Sequence, residues 1–223
     1  MRYSTHLLLA GALSALAGSP VLAQGDAARG QQWASQGDGS GAPCLACHGA
    51  NGEGNDAGGF PRLAGLDADY LTKQMLDYRS GARVSPIMQP NVDSFSEAQI
   101  RDLAAYYAGL PSRSVTVTGT VSDELLALGE TLANNGNWDS YIPPCATCHG
   151  PGNRGVGDSF PALAGQSPNY LSQQLKAWQS GQRHNDPNQL MAAVATRLSD
   201  QQIEAVAAYL GRLNASDDGE VKP

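Results

Sequence analysis

Two pentapeptides in this chain share one arrangement of two thiols and an imidazole, C-x-x-C-H. Thiols one helical turn apart can each form a thioether with one of the two vinyl groups of a haem, and the histidine that follows can then ligate the iron from the same side. Each pentapeptide therefore predicts one covalently attached haem c. The predicted attachment and ligand residues are Cys44, Cys47 and His48 in the first motif and Cys145, Cys148 and His149 in the second.

All four cysteines of the chain belong to these two motifs. Paired C-x-x-C sequences also occur in four-cysteine zinc sites and in thioredoxin-like redox motifs. Zinc needs no histidine after each pair, and the redox motif needs a βαβ setting that the pattern lacks. Haem attachment is therefore the preferred interpretation, with the other two as open alternatives.

Methionines are the candidates for the opposite side of each iron. Met88 and Met191 follow their histidines by 40 and 42 residues, and we expect both in loops as sixth ligands. Met75 aligns with Leu175 and is expected in the core. His184, in a polar loop, is the alternative ligand. Histidine with methionine saturates the iron and raises its potential relative to two histidines, which favours electron transfer over catalysis.

The motifs lie in a unit that occurs twice with a period of about 100 residues. F-P-R-L-A-G at 60–65 returns as F-P-A-L-A-G at 160–165. Apolar residues at i, i+3, i+4 and i+7 predict an amphipathic last helix in each unit, and a serine with a glutamine three residues on predicts its capping box. Gly30 and Gly129 fall at equivalent places in the first helices, where close approach of another helix is the expected reason. We expect an all-α fold of two tandem domains.

Composition divides the chain into five segments. Residues 1–23 have a basic start, an apolar run and a small-residue cleavage site, which is typical of a secretory signal peptide. The first domain takes residues 24–110, an extended connector 111–122, the second domain 123–213 and a polar tail 214–223. An uncleaved membrane anchor is the alternative for the first segment, and no other stretch could span a bilayer.

The charge balance restricts the class of partner. The chain has 14 Lys and Arg against 21 Asp and Glu, a net charge of −7, and both halves are acidic. This argues against nucleic acid and against an anionic membrane surface as partners. A signal peptide would place the chain in the periplasm, a compartment where redox proteins exchange electrons.

The motifs resemble those of the dihaem cytochrome c4 family, which has two class I cytochrome c domains in tandem. The likeness covers nearly the whole mature chain and rests on the C-x-x-C-H, F-P-x-L-A-G and Y-L-x-x-Q patterns and on the methionine before a capped helix. It implies two covalently bound haem c groups near a pseudo-twofold interface. It also implies that the carbonyls of Pro61 and Pro161 accept a hydrogen bond from the proximal histidine. Arg83 and Arg183 are candidates for pairing with propionates or across the interface, with surface solvation as the alternative.

We therefore expect a periplasmic electron carrier with saturated haem irons and no enzymatic activity of its own. It would take electrons from a donor such as a quinol-oxidising complex and pass them to a terminal oxidase. The alternative is a cytochrome subunit that serves as the electron outlet of a periplasmic dehydrogenase, such as a flavin sulfide dehydrogenase. A dihaem peroxidase or thiosulfate oxidiser is disfavoured by the paired methionines. A monomer without a transmembrane segment is expected, and peripheral association with the membrane stays open.

Overall fold

The computed structural model describes residues 25–216, so the predicted signal peptide and the end of the predicted tail lie outside it. Within that range the regular structure is helical, with isolated bridges as the only strand-like pairings, and the all-α prediction is confirmed. The first domain contains α1 (Ala27–Gln36), α2 (Leu45–His48), α3 (Ala68–Ser80), α4 (Met88–Val92) and α5 (Glu97–Ala108). The second contains α6 (Asp123–Asn134), α7 (Cys145–His149), α8 (Pro168–Gln179), α9 (Leu190–Ala195) and α10 (Asp200–Arg212).

The first and last helices of each domain cross at a glycine. A Cβ atom on Gly30 would lie 2.0 Å from the carbonyl oxygen of Asp102, and one on Gly129 would lie 2.1 Å from that of Ala205. Both distances are far below van der Waals contact, so any larger residue would push the helices apart. The close approach expected at these two glycines is confirmed.

Local signals place the other helix starts. Ser96 and Ser199 each form a capping box with the glutamine three residues on, as predicted. Asp67 caps α3 by accepting from two backbone N–H groups. Ser167 caps α8, where Pro168 occupies the first helical position.

Met88 and Met191 do not lie in loops, and that prediction was wrong. Met88 is the first residue of α4, and Met191 lies in α9. The segment 190–195 consists of good helix formers apart from Val194, and Pro90 is tolerated in the first turn of α4. Helices this short are not stable alone, and these two pack against α3 and α8.

Each domain has its own apolar core beside its cysteine motif. In the first domain the fully buried centre is Ile100, with Trp33, Cys44 and Met75 packed at its margin. In the second domain Ile203 takes the equivalent place, and the cluster reaches Cys145. Each core therefore supports the cysteine-bearing turn of its own domain. No helix among residues 25–216 has the length and apolarity needed to cross a membrane.

The two domains are joined by direct hydrogen bonds as well as by the chain. The N–H of Val84 donates to the carbonyl of Gln182 at 2.8 Å, and that of His184 donates to Ala82 at 3.0 Å. The connector after α5 has no helix, yet Val115 is buried and its N–H donates to Gly165 O at 2.8 Å. The connector is therefore packed against the second domain along part of its length.

The start of α8 receives a second cap from the other domain. Asp56 of the first domain accepts from the Ser167 hydroxyl at 2.7 Å and from the Asn169 N–H at 3.0 Å. The Asn169 side chain donates in return to the Asp56 carbonyl at 2.9 Å. A carboxylate at a helix N-terminus is favoured by the orphan N–H groups and by the helix dipole. These bonds therefore tie the two domains together.

Candidate functional site

The cysteines and histidines lie on one short helical turn in each domain. Cys44 immediately precedes α2 and His48 ends it, while Cys145 and His149 are the first and last residues of α7. Both histidines are buried at these turn ends. The predicted order of thiol, thiol and imidazole is therefore presented along a single turn in both domains.

A proline carbonyl orients each histidine ring. The Nδ1 atom of His48 lies 2.9 Å from Pro61 O, and that of His149 lies 2.7 Å from Pro161 O. Because a carbonyl can only accept, Nδ1 carries the proton and Nε2 keeps a free lone pair. The edges of both rings also meet a phenylalanine, Phe60 or Phe160. The imidazoles are thus held in the tautomer that a metal ligand needs.

Burial keeps both imidazoles neutral. It lowers the pKa of His48 and of His149, and the hydrogen bond to the proline carbonyl opposes this shift only in part. In the second domain the buried Nε2 atom of His149 has no hydrogen-bond partner among the described residues. A buried nitrogen with a free lone pair fits coordination to an iron.

A cleft in the first domain brings the predicted residues together. It has about 1330 Å³ of empty space, its open mouth included, and its lining is mostly apolar. Cys44, Cys47, His48, Pro61 and Met88 all line it. The two thiols, the imidazole and the thioether therefore face one apolar space, which fits a covalently attached haem.

The second domain repeats the helical turn that carries the motif and the bond from its histidine to a proline carbonyl. Cys145 is half-buried at the edge of the core, and Cys148 is exposed. Met191 is half-buried on α9, which packs against α8. Trp138 and Tyr141 are exposed in the turn that precedes α7, where the first domain has a glycine- and serine-rich segment. The surroundings of the two sites therefore differ, although their attachment motifs are the same.

A cluster of buried arginines lies where the first cleft meets the second domain. Arg83 and Arg183 face each other as an isolated antiparallel bridge and are only 3% and 5% exposed. Arg83 donates to Gln74 at 3.0 Å, to Gln174 at 2.6 Å and to the Tyr170 hydroxyl at 2.5 Å. Arg183 donates to the same two glutamine oxygens, each at 3.1 Å. Surface solvation, the alternative for these arginines, was therefore wrong.

This cluster also tests whether the site suits a haem. Among the described residues, the side chains of Arg83 and Arg183 donate hydrogen bonds to amide and hydroxyl oxygens and to no carboxylate. Buried cations without an anion are costly. Arg83, Gln74 and Gln174 also line the cleft. The two propionates of a haem would supply the missing negative charge, so the residues present fit the group.

Several contributors could not be assigned from the sequence. Tyr107 lines the first cleft, and burial raises the pKa of its hydroxyl, whereas the second domain has Leu210 at that place. Arg62 and Gln166 are buried polar residues at the domain contact. The sequence does mark them as departures from the repeat, because Arg62 aligns with Ala162 and Gln166 aligns with Leu66.

The four cysteines do not form the four-cysteine zinc site considered above. No three His, Cys, Asp or Glu side chains between residues 25 and 216 are grouped so that they could hold a metal ion. The two pairs lie on separate turns in separate domains. The thioredoxin-like alternative also lacks its setting, because the described residues form no strand.

Comparison with known proteins assigns both halves to one family. Residues 27–110 and 126–214 match the family described as cytochrome c. A Stutzerimonas stutzeri (strain A1501) protein named thiosulfate dehydrogenase electron acceptor is 43% identical over 97% of this chain and 99% of its own length. The matched residues therefore include both C-x-x-C-H units.

Two solved structures share the fold. A thiosulfate dehydrogenase from Marichromatium purpuratum superposes with a TM-score of 0.78 and 39% identity, over 85% of this chain and 40% of that one. The present chain thus corresponds to about two fifths of that protein. A cytochrome c4 from Pseudomonas stutzeri superposes with a TM-score of 0.74 and 33% identity, over 85% of this chain and 100% of that one.

Proposed function

The chain belongs to the cytochrome c family and, within it, to the dihaem cytochrome c4 proteins, and on that premise we propose that it is the electron acceptor of a thiosulfate dehydrogenase. It carries two covalently bound haem c groups and is an electron carrier. Each haem supplies, when bound, a one-electron couple at its iron.

The similarity to a named electron acceptor carries this proposal. That protein aligns with 97% of the present chain at 43% identity, so both domains are included. The Marichromatium thiosulfate dehydrogenase supports it, because a part of that chain has this fold. Of the two roles considered from the sequence, electron outlet of a dehydrogenase is therefore favoured.

Each residue of the two sites has a separate task in this proposal. The four cysteines would attach the haems, His48 and His149 would each offer Nε2 to an iron, and Met88 and Met191 would each offer a thioether. Pro61 and Pro161 hold the histidine rings, and Arg83 and Arg183 neutralise propionates at the domain contact. With both sides of each iron occupied, no position remains for a substrate, so the chain would have no turnover of its own.

Delivery to a terminal oxidase is the second part of the proposal. The likeness to the P. stutzeri cytochrome c4, whose whole length this chain covers, supports the role of an electron carrier, which needs an acceptor as well as a donor. The predicted signal peptide would place the carrier in the periplasm, where it could link an exported dehydrogenase to a membrane oxidase. The two roles are compatible, since one concerns the donor and the other the acceptor.

Stopped-flow spectroscopy of haem reduction tests the donor. The oxidised chain is mixed with a thiosulfate dehydrogenase and thiosulfate, and we expect both haems to be reduced at a rate that rises with dehydrogenase concentration. The control without dehydrogenase should stay oxidised. Reduction by a quinol-oxidising complex but not by the dehydrogenase would contradict the proposed donor. Thiosulfate oxidation by this chain alone, with an artificial oxidant, would contradict the absence of turnover.

A further inference from the structure

One peptide group in the first domain is hydrogen-bonded at both ends. The carbonyl of Pro61 accepts from His48 Nδ1 at 2.9 Å, and the N–H of the same peptide, which belongs to Arg62, donates to Gln166 Oε1 at 2.7 Å. Gln166 lies in the second domain. Its Nε2 atom donates in return to Arg62 O at 3.0 Å. A chain of hydrogen bonds therefore runs from the proximal histidine of one domain to a side chain of the other.

The second domain has no such chain. His149 Nδ1 bonds to Pro161 O at 2.7 Å, but the next N–H, that of Ala162, has no hydrogen-bond partner among the described residues. The residue that aligns with Gln166 is Leu66, whose side chain has no polar atom. The contact is thus a departure from the repeat and acts on one histidine only.

The Gln166 amide is shielded and fixed in orientation. Gln166 is 3% exposed and Arg62 is fully buried, so little water competes for these bonds. The N–H of Ser167 also donates to Gln166 Oε1, at 3.0 Å. Gly54 leaves the room needed beside this peptide, since a Cβ there would lie 2.5 Å from the Arg62 nitrogen. The bond is therefore held in one geometry.

We propose that Gln166 of the second domain lowers the reduction potential of the first haem by acting on His48 through the Pro61–Arg62 peptide. A donor bond at the N–H polarises the peptide and makes its carbonyl a stronger acceptor. A stronger acceptor draws the Nδ1 proton and makes the imidazole a more basic ligand. A more basic ligand stabilises the ferric over the ferrous iron. Gln166 is a positioning residue, and its role rests on the proposed ligation at His48.

The contact from Gln166 would give electron transfer between the two haems a direction. Because only the first haem receives this contribution, its potential is lowered relative to the second, which favours passage of an electron from the first domain to the second. The contribution also depends on the contact between the domains. Arg62 carries a buried cation nearby that acts in the opposite sense, and it is retained in the variants below.

Spectroscopic redox titration of the holoprotein tests the role of Gln166. Gln166→Met keeps nearly the same volume and removes all three hydrogen bonds of the Gln166 amide, two to Arg62 and one to Ser167. We expect the equilibrium constant for reducing the first haem to rise several-fold, so that one of the two redox waves moves to higher potential and the other stays. The wave that moves should be the one that a Met88→His substitution also moves. Faster hydrogen exchange at the Arg62 amide should accompany the shift.

A neighbouring contact provides the matched control. Asn169→Ala removes another bond between the domains, the one to Asp56 O at 2.9 Å, without touching the Pro61–Arg62 peptide. Both waves should stay where they are in the wild type. An equal shift in Asn169→Ala would mean that loosening of the domains is the cause. That result would overturn the proposal. So would a titration of Gln166→Met that is unchanged from the wild type, or one in which both waves shift together.

A second variant covers a failure of Gln166→Met to fold. Gln166→Glu keeps an acceptor oxygen for the Arg62 N–H, and at a pH that ionises the new carboxylate the first wave should move to lower potential. No shift or an upward shift would contradict the mechanism. If instead the first domain of the wild-type chain bound no haem, the proposed ligation at His48 would fail, and mass spectrometry of the attached haems would show this before any titration.

Discussion

At the scale of the residue, three methionines with the same side chain have different surroundings. Met88 begins α4 and lines the first cleft together with His48, and Met191 is half-buried on α9. Met75 lines the same cleft from α3 and packs on the core, where the second domain has Leu175. Two methionines in one cleft give the first site two candidate thioether ligands. The repeat favours Met88, because it aligns with Met191, whereas Met75 aligns with Leu175.

Met88→His should lower the potential of one haem and leave the other unchanged. Two histidines give a lower potential than histidine with methionine. The far-red band of the methionine–ferric pair should fall to half its intensity in the same variant. Redox titration with absorption spectra measures both quantities. Met75→Leu, which copies the second domain, is the matched control and should change neither. A full-strength band in Met88→His would show that Met88 is not the ligand.

At the scale of the element, the crossing of the first and last helices differs between the domains in one ion pair. Asp102 on α5 accepts from Asp26 N at 2.6 Å and from Arg29 Nε at 2.8 Å. The second domain has Ala205 at that position and no such pair in its crossing of α6 with α10. The α1–α5 contact therefore has an acid-sensitive component that the α6–α10 contact lacks.

Stability of the first domain should fall in acid because of Asp102. Burial alone would raise the pKa of this carboxyl, but the bonds from Arg29 and from the Asp26 N–H lower it below its usual value. A lowered folded pKa means stability that is present above the unfolded pKa, near 3.9, and is lost as the pH falls through the folded pKa. The urea midpoint of the wild type should therefore drop over that range.

Asp102→Asn removes this pH dependence in part. The variant should be less stable than the wild type at neutral pH, because a partly buried ion pair has lost one partner, and it should lose less on acidification. Asp139→Asn, at an exposed aspartate of the second domain, is the control and should follow the wild-type profile. Parallel profiles for the wild type and Asp102→Asn would contradict the assignment.

At the scale of the whole molecule, the two domains are held by side chains as much as by the connector. Asp56 caps α8, and Arg62 donates to Ala164 O at 3.1 Å. Burial lowers the pKa of Arg62 to about 10, so the guanidinium is still charged at neutral pH. A buried charge needs hydrogen-bond acceptors, and the carbonyls of Ala64 and Ala164 provide them. The domains therefore meet at two places near the first cleft. One is the cluster of Arg83 and Arg183 at the side of the cleft, and the other is the set of bonds around Arg62, next to the peptide that binds His48.

A cut in the connector should therefore leave the molecule in one piece. Residues 118–120 are exposed and have no helix, so a protease site inserted after Gly119 should be accessible. We expect the cut protein to elute as a single particle with both redox waves unchanged, because the bonds between the domains do not require chain continuity. Size-exclusion chromatography and redox titration measure this, with the uncut insertion variant as control. Separation into two fragments would show that the connector is what holds the domains.

The sequence by itself determined the repeated unit, the helical fold and the candidate ligands. These follow from local patterns: two thiols and an imidazole within five residues, apolar spacing near 3.6, and a serine with a glutamine at a helix start. Such patterns act within one or two helical turns, so neighbouring residues are sufficient to define them. The prediction of loops at Met88 and Met191 was wrong, because the two short helices that carry them form through packing against α3 and α8, which local patterns do not encode.

Only the tertiary structure decided how the two copies meet. The burial of Arg83 and Arg183, the capping of α8 by Asp56 and the bond from Arg62 to Gln166 join residues about 100 positions apart. No spacing in the sequence specifies such pairs, because they depend on the angle at which two folded domains dock. That docking makes the two sites unequal: the Gln166 amide reaches the peptide beside His48, and no side chain within residues 25–216 accepts from the corresponding N–H beside His149.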